Sequence, residues 1–467
     1  MDEKPLQIAI MACEPSADRQ GAALLDALRA LSSRPVRAWG LGGAHLRAAG
    51  MTVHFDTDPW ATIGLVTALA NIPYGLVVRS GVKRALAKDP PDALVLIDAG
   101  FFNVPLGLWA RRRRICPVFY YFPPGSWRKA PRTRRGRGSL AEAADRIVTP
   151  FPWSEALLRQ GGADARFVGH PLLDLVHPAL EAADFYARFG LDPHRPLIAL
   201  LPGSRRMEIR HILPALVGAA GEIARRIPGA QFALALAPSA PRDLVEELIR
   251  REQRPGGRAA RLQLLMHQAG DKLAQIAQST LSQTLTPPRP RLATNEGLTL
   301  PIPPEPEETP HSQERPLPAH APLVIVDDLT YDVLARSDLV ITKSGTSTLE
   351  AAILHKPMII VYRVPPLMTL EARLRWKSLQ ITHIGMPNLL AGERVFPELL
   401  QGEANPDAIA ELAVGMLLQP ERLLRLKERL ADLVRTNLGE PGGVRRAADL
   451  LYDLITGPPA SDRGVDA

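Results

Sequence analysis

The chain is predicted to fold as an α/β protein with two doubly wound domains facing one another across a cleft. Three observations carry that expectation. Short apolar runs alternate with amphipathic stretches from Gln7 to Thr149, the pattern of parallel strands covered by helices on both faces. The same alternation begins again at Leu197. Two turns of the second half, Pro202-Gly203-Ser204-Arg205 and Ser344-Gly345-Thr346-Ser347, each follow an apolar run and open a helix, which presents free N–H groups and roughly half a positive charge to an anion.

Taken in order, the first strand covers 7–13 and runs into the loop Glu14-Pro15-Ser16-Ala17-Asp18, after which an amphipathic helix begins at Gly21. A second strand at 36–41 turns at Gly42-Gly43, and helical stretches are expected at 63–70 and 73–86. The run 92–98, Asp-Ala-Leu-Val-Leu-Ile-Asp, reads as a buried strand that ends on an acid, Asp98. Strands at 118–122 and 146–149 continue the alternation. Ligands of such sheets bind beyond the carboxyl ends of the strands, where both Asp98 and the loop 14–18 fall.

The second domain restarts with a strand at 198, the Pro-Gly-Ser-Arg turn and a helix; further strands are expected at 231–237 and 323–326. The unit 340–363 is the clearest in the chain: a strand, the Ser344–Thr346 turn, a helix carrying Glu350 one turn in, and a second strand at 358–361. A diphosphate suits that helix N-terminus and a ribose suits Glu350; the alternative is that Ser344 and Thr346 merely cap the helix and Glu350 favours its dipole. Arg205 has a local alternative too, a pair with Glu208 one turn on. His170, in Gly-His-Pro at the domain junction, reads as structural.

The domains are therefore set at 1–180 for the first and at 190–278 with 323–440 for the second, with a C-terminal helix and tail at 441–467. The stretch 279–322 stands apart. It holds eleven prolines among Thr, Glu and Ser clusters and is expected to be a disordered insertion, because it lacks the apolar surface to order itself.

Composition excludes several classes. With 467 residues, 46% of them hydrophobic, the chain can bury two or three sizeable cores, and no run approaches the roughly 20 apolar residues of a membrane span. No basic, apolar leader opens the sequence, so a cytoplasmic or peripheral protein is expected. Cys13 and Cys116 lie in separate apolar contexts, which suggests neither a disulfide framework nor a metal site. The net charge of +7 is concentrated in Arg111–Arg114 and in a block from Arg128 to Arg137. That surface suits anionic lipid or a phosphorylated substrate, whereas no signature of a nucleic-acid reader accompanies it.

Six stretches, in this order, resemble one family: Met-Ala-Cys-Glu-Pro-Ser-Ala-Asp-Arg-Gln-Gly-Ala from Met11, Leu-Ile-Asp-Ala-Gly-Phe-Phe-Asn around Asp98, Phe-Val-Gly-His-Pro-Leu-Leu-Asp at 167–174, Leu-Leu-Pro-Gly-Ser-Arg-Arg-Met-Glu-Ile at 200–209, the 343–363 unit, and Met-Pro-Asn-Leu-Leu-Ala-Gly to Pro-Glu-Leu-Leu-Gln at 386–401. Together they are similar to bacterial lipid-A-disaccharide synthases, glycosyltransferases of the GT-B architecture with two facing Rossmann-like domains. The resemblance implies an inverting transfer of 2,3-diacylglucosamine from its UDP derivative to 2,3-diacylglucosamine 1-phosphate, without metal or cofactor, at the inner face of the inner membrane. It implies Asp98 as general base, Ser204 and Arg205 with Ser344, Gly345 and Thr346 on the diphosphate, Glu350 on the ribose, and Asn388 near the nucleotide. Glu14, Ser16 and Asp18 are acceptor-side candidates, and a homodimer stays open.

Four departures fall in the first domain. Ala17 stands where the family has glycine, so a left-handed backbone there is expected to be costly. Gly100 and Phe101 replace a proline and the motif's second acid, Thr67 replaces a glutamate, and the segment around Trp127 differs. A related glycosyltransferase with a changed acceptor is the runner-up reading, and a non-catalytic protein binding anionic surfaces through its basic segment is the third.

Overall fold

A computed structural model describes residues 4–56, 65–125, 140–237, 240–253, 323–365 and 383–457. The insertion at 279–322 and the segment around Trp127 with its basic block lie outside the described residues, as does the side chain of Thr67.

The first sheet contains β1 (Leu6–Ala12), β2 (Val36–Gly42), β3 (Thr52–Asp56), β4 (Ala93–Ile97), β5 (Val118–Tyr121), β6 (Arg146–Thr149) and β7 (Ala165–Phe167). Its lateral order is β3-β2-β1-β4-β5-β6-β7, every pair parallel. The second contains β8 (Leu197–Leu201), β9 (Gln231–Leu236), β10 (Leu323–Asp327), β11 (Leu339–Lys343), β12 (Met358–Tyr362) and β13 (Glu398–Leu400), ordered β10-β9-β8-β11-β12-β13 and again parallel.

Central strands such as Ala93–Ile97 are buried along their whole length, which is why they read as unbroken apolar runs. Successive side chains leave opposite faces. Ile8, Ile10 and Ala12 enter one apolar layer, and Ala9 and Met11 the other. In the second domain Ile198 and Leu200 face one layer, and Leu197, Ala199 and Leu201 the other.

Strand order reverses between β1 and β4 and again between β8 and β11. Ala12 lies opposite Ile97, and Leu201 opposite Thr342, so the loops leaving those four strands emerge side by side at the two switch points. All the candidate loops of the first half and both turns of the second belong to these four exits.

The C-terminal helix Gly443–Thr456 returns to the first domain. After the helix Pro420–Leu438 buries Leu430, Val434 and Leu438 in the second domain, Ala447, Ala448, Leu451 and Leu454 pack with Leu24, Leu25 and Leu28 of the helix Pro15–Leu31. The crossing is tight. Gly169, at φ +94°, leaves room for the Glu440 carbonyl, which a Cβ would approach to 2.6 Å, and Asp174 accepts from the Val444 N–H at 2.8 Å.

Two details differ from expectation. The stretches 63–70 and 73–86 are one helix, Leu65–Lys88, and the short strands β3, β7 and β13 were not foreseen. Each of the three lies at a sheet edge, where a strand of three to five residues lacks the fully apolar run of a central one. Ala17 is the second. It sits inside the helix Pro15–Leu31, buried, so no left-handed backbone is required and the expected cost does not arise.

Candidate active site

A cavity of about 560 Å³ opens between the domains, with Glu14, Ser16 and Arg19 on one wall and Ser204, Arg205 and Thr346 on the other. Gly345, Lys343 and Glu350 also line it.

On the first wall the chain leaves β1 and turns at once into a helix with Pro15 at its start. Asp18 follows one turn later and is almost wholly buried. Its carboxylate accepts from the N–H groups of Gly43 at 2.6 Å, His45 at 2.9 Å and Leu46 at 3.2 Å. Asp18 therefore ties down the start of the short helix Ala44–Ala48, and its oxygens are occupied by backbone. All three acceptor-side candidates, Glu14, Ser16 and Asp18, line the cavity, Asp18 with its carboxylate already accepting backbone hydrogen bonds.

Asp98 ends β4 beside this wall. It and Ala99 both adopt left-handed backbone, φ 49° and 42°, a strained pair for residues with a Cβ. The surroundings hold the strain in place: Tyr120 Oη donates to the Asp98 carbonyl at 2.7 Å, and Asn103 Nδ2 donates to the carbonyls of Ile97 at 2.9 Å and Asp98 at 3.1 Å. Burial pushes the Asp98 carboxyl up to about 6, the negative charge of Glu14 adds to the rise, and a hydrogen bond from the Ala99 N–H opposes it. A carboxylate poised near neutrality is suited to taking a proton. Phe101, where the family motif carries its second acid, is largely exposed.

The two turns of the second domain face one another across an ion pair. Gly203, at φ +106°, has no room for a side chain because a Cβ would lie 2.3 Å from Glu208 Oε2. Arg205 caps the helix Arg206–Arg226, and its guanidinium lies 3.8 Å from Glu208 and 3.5 Å from Glu14 of the other domain. Both the local pair and the cleft position are thus realised. Lys343 Nζ reaches Glu208 Oε1 at 3.1 Å and lies close over Gly345. Thr346 begins the helix Thr346–Ile353, with Gly345 before it.

Two predicted nucleotide ligands are placed otherwise. Ser344 donates its hydroxyl to the Ile384 carbonyl at 2.6 Å, although its backbone still belongs to the turn. Asn388 is fully buried. Its amide donates to the Phe396 carbonyl at 2.9 Å and Glu398 at 2.8 Å, and accepts from the N–H groups of Val395 and Phe396, both at 2.9 Å. That uses its full bonding capacity, so Asn388 stitches the loop rather than offering a direct contact.

Glu350 is nearly buried and takes a hydrogen bond from Tyr331 Oη at 3.1 Å, with Arg19 of the first domain 3.9 Å away. Burial raises its carboxyl above the ordinary range, while Arg19, Tyr331 and Lys343 pull it back. Arg19, Tyr331 and Lys343 were not foreseen as site residues. Lys343 had a local signal, since it directly precedes the turn; the other two are joined only by the fold. Among the described residues no group of three or more His, Cys, Asp or Glu side chains is arranged to hold a metal ion, and no helix is long and apolar enough to cross a membrane.

A family model described as lipid-A-disaccharide synthetase matches residues 8–272 and 307–449, leaving out much of the proline-rich insertion. Proteins named lipid-A-disaccharide synthase are similar over nearly their whole length. That of Syntrophus aciditrophicus is 32% identical, covering 96% of this chain and 97% of the relative; that of Geobacter metallireducens is 33% identical with the same coverage; that of Myxococcus xanthus is 31% identical, covering 97% and 98%. Among solved structures, the Neisseria meningitidis UDP-GlcNAc 2-epimerase bound to UDP-GlcNAc shares the fold at a TM-score of 0.54 and 12% identity, covering 96% of this chain and 98% of that one. The architecture is GT-B. By sequence, the chain belongs to the lipid-A-disaccharide synthase family, glycosyltransferases of lipid A biosynthesis.

Proposed function

We propose that this enzyme joins UDP-2,3-diacylglucosamine to 2,3-diacylglucosamine 1-phosphate with inversion, releasing UDP and forming the lipid A disaccharide 1-phosphate. The observation that carries the reading is Asp98, a buried carboxyl at the exit of β4 held near neutrality by burial and by Glu14, which itself lines a cleft whose far wall bears two anion-suited turns. In the proposed step Asp98 takes the proton of the acceptor's 6-hydroxyl as that oxygen attacks the anomeric carbon. The bond from that carbon to the diphosphate oxygen breaks, and both its electrons leave with UDP. Ser204, Arg205 and the N–H groups of Gly345 and Thr346 stabilise the charge that develops on the diphosphate. Glu350 holds the ribose. A leaving group of that kind needs charge stabilisation more than protonation, so one carboxylate suffices.

Peripheral attachment to an anionic inner-membrane face belongs to the same reading. Leu76 and Val77 stand exposed on the helix Leu65–Lys88, and further along that helix the Lys83 amine is lowered first by burial and then by the positive charges of Arg79 and the nearby Arg113. Phe101 favours one alternative, a related enzyme with a changed acceptor, because an exposed ring replaces an acid next to Asp98. Incubation with the UDP donor and the lipid 1-phosphate, followed by mass spectrometry, separates the two. Equimolar UDP and disaccharide are expected; donor consumption only with a different acceptor supports the alternative.

A further inference from the structure

We infer that Arg19 is a positioning residue for the nucleotide: it reaches from the first domain to Tyr331 and holds the Glu350 carboxylate ready for ribose hydroxyls, so that the site is complete only when the domains meet. This rests on the reading of Glu350 as the ribose ligand.

Arg19 projects from the first turns of the helix Pro15–Leu31. Its Nη1 donates to Tyr331 Oη at 2.5 Å, and its guanidinium carbon lies 5.3 Å from the centre of the Tyr331 ring. Tyr331 Oη donates onward to Glu350 Oε1 at 3.1 Å, while Arg19 Nη1 stands 3.9 Å from the same oxygen. Both contacts fall on Oε1, which leaves Oε2 for a ligand. Tyr331 is itself on a fixed base: its neighbour Asp332 accepts from the N–H groups of Ala179 at 3.1 Å and Leu180 at 2.7 Å, pinning the helix Thr330–Arg336.

The Glu350 side chain is only 13% exposed, so keeping it charged is costly without a nearby cation. The charged or titratable groups facing it are Arg19 from the first domain, Tyr331 from the helix Thr330–Arg336 and Lys343 from the end of β11. Protonation turns a carboxylate from a pure acceptor into a partial donor and weakens its grip on two neighbouring hydroxyls. Arg19 is the one member of this set that the other domain supplies. A separated cleft would leave Glu350 with less opposing charge.

The test is UDP affinity of the full-length protein by calorimetry from pH 5.5 to 8.5, with donor KM and kcat measured in parallel. Arg19→Met is expected to weaken UDP binding about tenfold near neutral pH, within the range for a charge-assisted contact. It should also move the acid limb of binding to higher pH and raise KM for the donor far more than it lowers kcat. Arg19→Lys should restore most of the affinity and the pH profile, and it keeps the test decisive if the methionine variant folds poorly. Wild-type affinity with an unmoved acid limb in Arg19→Met overturns the inference, as does a lower melting temperature alone. A wild-type protein that binds no UDP overturns the nucleotide reading of Glu350 itself, and this inference with it.

Discussion

The guanidinium of Arg205 and the carboxylate of Glu14 stand 3.5 Å apart across the cleft, one from each domain, while Glu208 holds the same guanidinium from its own helix at 3.8 Å. About a quarter of each of the two side chains in the bridge is exposed, so the pair adds little stability. Its significance is placement: the two acids hold Arg205 at the turn, where the proposed diphosphate would compete with them. Arg205→Ala is expected to weaken UDP binding by roughly 1.5 to 3 kcal/mol, the range for a hydrogen bond to a charged group. Calorimetry decides it, and an unchanged affinity would reduce Arg205 to its pairs with Glu14 and Glu208.

Asp98→Asn keeps the shape of the strand end but removes the proposed base. Turnover is expected to fall about 100-fold or more while UDP still binds. Loss of melting temperature and activity together would instead point to a role in holding the left-handed turn.

The pH profile gives a second handle on the same residue. A base must be ionised, so the wild-type rate should climb through about pH 6 and level off above it. Glu14 contributes to raising that value, so Glu14→Gln should shift the acid limb to lower pH. A limb that moves upward, or stays put, would remove Asp98 from the rate-determining proton transfer.

Asn388→Ala strands the N–H and the carbonyl of the buried Phe396, whereas the half-buried Val395 N–H keeps the Glu393 carbonyl at 3.1 Å. A stability loss of about 3 kcal/mol or more is expected, since each unmet buried group costs about 1 to 3 kcal/mol. Chemical denaturation measures it. UDP affinity of the folded protein should hardly change; a selective loss of affinity with normal stability would return Asn388 to the binding site.

His170 is buried, between the Phe122 and Phe151 rings at 5.9 and 5.5 Å, and burial lowers its imidazole to about 3. The folded value lies below the ordinary one near 6.5, so the unfolded chain takes up the proton first. Its contribution to stability is whole above about pH 6.5 and is lost as pH falls toward 3, at up to about 1.4 kcal/mol per pH unit. His170→Gln should flatten the fall of melting temperature between pH 6.5 and 4; an equally steep fall would assign acid sensitivity elsewhere.

The alternation of apolar runs was enough to read two parallel sheets and most of their central strands, because strands buried on both faces, such as Ala93–Ile97 and Leu197–Leu201, write their environment into consecutive residues. The turns at Gly203 and Gly345 and the acid at Asp98 were legible for a related reason: strand, turn and helix N-terminus are neighbours in sequence, and a doubly wound sheet gathers its ligands at those exits. Partnerships between distant residues had no such local mark. Asp18 looks like a site residue in its motif, yet the N–H groups of Gly43, His45 and Leu46, 25 to 28 residues on, occupy its carboxylate, and only packing brings them within reach. The link from Arg19 to Tyr331 joins positions 312 residues apart, and the return of the Gly443–Thr456 helix to the first domain joins the two ends of the described chain. Contacts at such separations follow from how the two sheets are set against one another, a property of the assembled cores that no stretch of sequence carries alone.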